Sequence, residues 1–219
     1  MSSVAVDTRY PAPAFVRGAD ISAKAGLLLL LAVALLYPSV GNLEGKGATA
    51  RAVGYPLLAF TVPLIWFVFW RKRASFPWTA DLLVTITCFT DILGNRMDLY
   101  DQISWFDDWM HFMNTGMLAA AVILLTMHRS TPLGAMVERA LAFGVTAALA
   151  WEVAEYYAFL RFSPERVGAY TDTLGDMVLG TFGCVVAAVI VHTLWQQGRL
   201  TFTAPQLERV PDLVEVAVR

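Results

Sequence analysis

The chain has 219 residues, of which 57% are hydrophobic and only 16% charged, with a mean hydropathy of +0.56. Soluble domains average roughly 45–50% apolar and about 25% charged residues, so the composition argues against a soluble globular domain. The formal net charge of −2 gives no case for a nucleic-acid partner.

The apolar surplus is clustered, and a helix needs about 20 such residues to cross the hydrocarbon core. The expected fold class is therefore all-α: a polytopic membrane helical bundle with about six transmembrane helices. It occupies residues 24–195, between cytoplasmic tails at 1–23 and 196–219. The first twenty residues are mixed, polar and proline-containing. The first apolar block lacks a small-residue cleavage signal, so it is expected to stay as a span.

The first span is predicted at 24–41, around the run Leu27 to Leu31. The second, at 52–70, contains Pro56 and Pro63, which predict a kink, and it is stopped by Arg71, Lys72 and Arg73. The third, at 79–95, carries Asp91 and Asn95 at its outgoing end, with Asp98 just beyond. Spacings of four and seven place these three on one helical face. An acidic and aromatic connection follows at 98–110. The fourth, fifth and sixth spans are predicted at 109–127, 137–159 and 172–195. Cys88 and Cys184 fall inside apolar blocks without a Cys or His neighbour at metal spacing, and read as small buried thiols. His128 and His192 fall near helix C-termini, where a histidine suits the dipole.

Orientation follows from Lys and Arg near the helix ends. With the N-terminus cytoplasmic, nine lie inside and five outside, the distal tail arginines left aside. The expected location is a cell membrane, multi-pass, with both termini in the cytoplasm.

The chemistry-bearing residues gather at the outer end of this topology. Asp107 and His111 are spaced i, i+4 at the start of the fourth span, and Asp108 and His111 i, i+3. Glu152 and Glu155 are i, i+3 near the end of the fifth, and Asp172 and Asp176 i, i+4 at the start of the sixth. The inner half of the bundle is expected to hold no comparable cluster. Asp107, Asp108, Asp172 and Thr173 can also be read as helix caps, and Asp101 as a solvated loop acid. Glu152 and Glu155 are harder to dismiss, because an ionisable residue inside a span costs several kcal/mol unless paired or wet.

Crowded carboxylates repel unless protons or a cation intervene. The expected cofactor is a divalent metal cation held by Asp107, His111, Glu152, Glu155, Asp172 and Asp176. A mostly oxygen ligand set suits Mg, Mn, Ca or Fe, and Zn remains open through the histidine. Asp108 is a candidate proton acceptor, and Asp91 and Asp98 are further catalytic candidates. Three functions are weighed. One is a metal-dependent membrane enzyme acting on a lipid or isoprenoid-linked substrate drawn from the membrane lipid. The second is a cation or proton transporter. The third is a non-catalytic binding or assembly protein with a structural cation.

Three segments carry a resemblance: F-D-D-W-M-H-F at 106–112, W-E-V-A-E-Y-Y at 151–157 and T-D-T-L-G-D-M at 171–177. In this order they resemble the YjdF-like family of bacterial inner-membrane proteins. That family shows Asp-x-x-x-His-Phe, Glu-x-x-Glu and Asp-Thr-x-x-Asp-Met segments. More remotely, the pattern is similar to VanZ-like proteins. The likeness covers about residues 80–195. It implies a helical membrane fold and a shared polar site at Asp107, His111, Glu152, Glu155, Asp172, Thr173 and Asp176, and it implies no particular reaction. No H-E-x-x-H helix, G-x-S-x-G elbow or Walker loop is present, and three histidines are too few for a membrane desaturase. Asp172 and Asp176 are similar to the end of a CDP-alcohol phosphotransferase signature whose Gly-Ala-Arg part is missing.

Overall fold

A computed structural model describes residues 13–41, 43–72 and 74–200. Residues 1–12 and 201–219, which hold most of the two expected tails, lie outside the described residues, as do Arg9 and Arg73 of the charge count. The described residues form helices and no strand: α1 (Ala14–Leu36), α2 (Pro38–Gly41), α3 (Ala48–Ala59), α4 (Thr61–Ile65), α5 (Trp78–Arg96), α6 (Leu99–Gln102), α7 (Phe106–Thr126), α8 (Leu133–Ala158) and α9 (Ala169–Gln196). A π-helical turn at Trp66–Trp70 continues α4.

Four helices, α1, α7, α8 and α9, are long and apolar enough to cross a membrane, and the bent run from α3 to Trp70 makes a fifth when counted as one broken span, against the six expected. The expected third span, α5, has 19 residues but is less apolar, because Asp81, Asp91 and Asn95 lie along it. All three side chains are buried, so the polar face of α5 is turned into the bundle.

The first helix corrects the expected boundary. It begins at Ala14, ten residues earlier than expected, and ends at Leu36, two residues before Pro38. It can start early because Asp20 and Lys24, one turn apart, form an ion pair that carries the polar segment into the interior. The kink expected from Pro56 and Pro63 is present as a 42° bend between α3 and α4. Proline supplies no N–H, so the carbonyls four residues upstream lose their helical donors and the segment breaks near Phe60.

Two apolar clusters share α5. Ala80 and Val84 join side chains of α7, α8 and α9, while Cys88 and Ile92 join those of α1 and α3. Both cysteines are buried free thiols. The α7–α9 contact is closest. A Cβ added to Gly183 would lie 2.1 Å from the Phe112 carbonyl oxygen, and one added to Gly116 would lie 3.0 Å from that of Gly183. Glycine is needed there because the two backbones touch.

Candidate functional site

The beginnings of α7 and α9 and the end of α8 meet at one end of the bundle. Neither α7 nor α9 has a side-chain N-cap; the helices begin at Phe106 and Ala169, upstream of their acids. Asp107 and Asp108 lie in the first turn of α7 and Asp172 in that of α9, where negative charge complements the dipole. Glu155 lies in the last turn of α8, where the dipole disfavours a carboxylate. Its placement is therefore not explained by helix stability.

His111 is the centre of the cluster. Its Nδ1 lies 3.6 Å from Glu152 Oε1, and its Nε2 lies 3.6 Å from Asp107 Oδ1 and 3.8 Å from Asp176 Oδ2. These gaps exceed a direct hydrogen bond. Two sets of three possible ligand atoms, Asp107–His111–Asp176 and His111–Glu152–Glu155, each fall within 4.8 Å of one another. Glu152 and Asp176 are buried, His111 is half-buried, and Asp107 is partly exposed. Thr173 donates a 2.9 Å hydrogen bond to Glu152 Oε2, while Glu152 Oε1, on the histidine side, is buried with no hydrogen-bond donor. Asp172, one turn before Asp176, is exposed and adds its charge to the same field. Asp108 is exposed at the edge of the cluster.

The other catalytic candidates have different surroundings. Asp91 accepts hydrogen bonds from Tyr55 Oη at 2.5 Å, Tyr100 Oη at 2.9 Å and Arg51 Nε at 3.1 Å. Burial, reinforced by the neighbouring Asp91 charge, pushes the Tyr100 hydroxyl well above its ordinary pKa. The Arg51 guanidinium lies over the Trp151 and Phe159 rings and also donates to the Lys46 carbonyl. Asp98 does not share a helical face with Asp91 and Asn95. The helix ends at Arg96, and Asp98 takes a left-handed conformation, φ 61°, that short polar side chains tolerate. It accepts a 3.0 Å hydrogen bond from Gln102. Asp101 is paired with Lys46 rather than merely solvated. His128 binds Ser130 in the turn after α7.

A second buried polar cluster overturns the expectation that the opposite end is empty. Lys24 Nζ contacts Asp20 Oδ1 at 2.6 Å, Asp81 Oδ2 at 2.9 Å and Thr85 Oγ1 at 2.6 Å. Sequence reasoning missed these residues and Arg51, Tyr55 and Tyr100. The available signal was the series Asp81, Thr85, Cys88 and Asn95, which continues one face of α5 over its whole length. Lys24 and Arg51, which belong to the nine-to-five count of interfacial charges, are both spent on internal pairs.

A family model described as "predicted membrane protein (DUF2238)" matches residues 23–197. No curated protein and no solved structure matches significantly. The match spans most of the chain, so the chain belongs to that family and is a multi-pass membrane protein.

Proposed function

Proceeding from membership in that membrane family, we propose that the His111 cluster holds a divalent cation and that the protein is a metal-dependent membrane enzyme. The observation that carries this reading is Glu152 Oε1, a buried oxygen without a donor, facing an imidazole that four carboxylates approach. A cation would answer that oxygen and the repulsion among the acids together. Asp107, His111, Glu152, Glu155 and Asp176 are the ligand candidates, and Asp172 is an outer member. Magnesium, manganese, calcium, iron or zinc would act there as Lewis acid or activator of water. Exposed Asp108 is placed to accept a proton. A lipid or isoprenoid-linked substrate would enter from the bilayer, along the exposed Trp105 and Trp109. The charge asymmetry supports an orientation with this end outside and both termini in the cytoplasm.

A second reading, cation or proton transport, is favoured by one observation: buried polar residues continue along α5 to the opposite end of the bundle. The two readings separate in one experiment. Chelated protein is reloaded with each metal and incubated with a bilayer phospholipid and an isoprenoid phosphate. Metal-dependent chemical change that is lost in Glu155→Gln supports the enzyme. Ion flux in vesicles without chemical change supports transport, and retained metal with neither activity would leave a structural cation.

A further inference from the structure

The Lys24 cluster has a charge count that its own residues do not balance. Asp20 and Asp81 are each 1% exposed. The three N–H bonds of Lys24 are used on Asp20, Asp81 and Thr85. The Thr85 hydroxyl has its own acceptors, Asp20 Oδ1 and the Asp81 carbonyl, each at 2.9 Å. Asp81 Oδ1 is left buried with no donor. Two carboxylates and one ammonium leave one uncompensated negative charge, which is costly inside a bilayer.

Among the described residues no second cation forms an ion pair with the cluster, and Arg17, one turn before Asp20 on α1, is exposed. From the α3–α4 break, Phe60 presents a ring 5.9 Å from Lys24 Nζ. Further along α5 come the Cys88 thiol, which brings no positive charge, and Asp91, which is already answered by Arg51. Among the described residues no ion pair joins α7 to the cluster. A metal cation is a poor candidate, because it would share its oxygens with an ammonium group 2.6 to 2.9 Å away. A proton needs no coordination shell and adds the single charge required.

We propose that Asp20, Lys24 and Asp81 form a proton-binding site at the opposite end of the bundle from His111, with one proton held by the aspartate pair. Protonated, the unit is neutral and compatible with a closed interior. Deprotonated, it carries one negative charge and draws in water or opens. The site lies against the break in the α3–α4 span, which bends by 42°. Discontinuous helices of this kind accompany ion-coupling sites in membrane proteins. The Lys24 cluster shares no residue with the His111 cluster, and among the described residues no ion pair joins the two. It does not depend on a metal there.

The test is infrared spectroscopy of the full-length protein in lipid at neutral pH, in water and in deuterium oxide. The parent should show a carboxylic-acid carbonyl band with a deuterium shift. Part of that band should disappear in both Asp81→Asn and Asp20→Asn, because each asparagine replaces the protonated acid and leaves one carboxylate for Lys24. Both single variants should melt at or above the parent temperature. The double variant strands Lys24 and should melt well below it. Two results would overturn the proposal: unchanged acid-band intensity in both single variants, or single variants that lose as much stability as the double variant. Metal content should be the same in all four proteins.

Discussion

Replacing Gly183 by alanine probes the contact that sets the site's geometry. The added Cβ would lie 2.1 Å from the Phe112 carbonyl oxygen, where ordinary contacts begin at 3.4 Å. The obstacle is backbone, which no rotamer change removes, so α7 and α9 must separate by about 1 Å. Overpacking of this kind costs about 1–3 kcal/mol. At 2–4 °C per kcal/mol for a chain of this size, a cost of about 2 kcal/mol lowers the melting temperature by about 4–8 °C. The displacement also reaches the cluster. His111 is the residue before Phe112 on α7, and Asp176 lies two turns before Gly183 on α9. Cation retention should therefore fall with stability. Gly175→Ala is the control, because no atom lies within 4 Å of its added Cβ. Its helix propensity should improve by up to about 1 kcal/mol. Thermal unfolding of both variants in the same detergent is the assay. Equal melting temperatures for the two would refute the close α7–α9 contact.

Asp91→Ala should destabilise the protein by about 3–5 kcal/mol, because it leaves Arg51 buried without its carboxylate. Asp91→Asn should cost less; equal losses in chemical denaturation would show that the charge is irrelevant. A reporter fused after residue 219 should be cytoplasmic and a tag beside Asp101 accessible from outside, and the reverse labelling would invert the orientation.

Much of the bundle is legible because bilayer thickness imposes long apolar blocks, and α7, α8 and α9 begin or end within about four residues of expectation. The kink is legible because proline acts locally. The beginning of α1 is not, because Asp20 and Lys24 look like a polar tail until Asp81, 57 residues further along, supplies the partner for Lys24. Asp98 was misplaced for a different reason. A helical spacing of seven assumes that the helix continues, and here it stops at Arg96. The His111 neighbourhood was suggested by common depth and spacing on three helices. What spacing does not convey is the pairing around each acid: Asp91 is saturated by Arg51, Tyr55 and Tyr100, whereas Glu152 keeps one buried oxygen without a donor.

That oxygen gives the most direct test of the central claim. Elemental analysis of full-length protein, purified in detergent without chelator, should find a stoichiometric divalent cation. Glu152→Gln should keep the fold, since glutamine preserves volume and can still accept from Thr173. It should weaken cation retention at least tenfold, as metal-site changes typically do. Chelator should lower the melting temperature of the parent and leave that of the variant unchanged. A metal-free parent, insensitive to chelator and matched in stability by Glu152→Gln, would contradict the account.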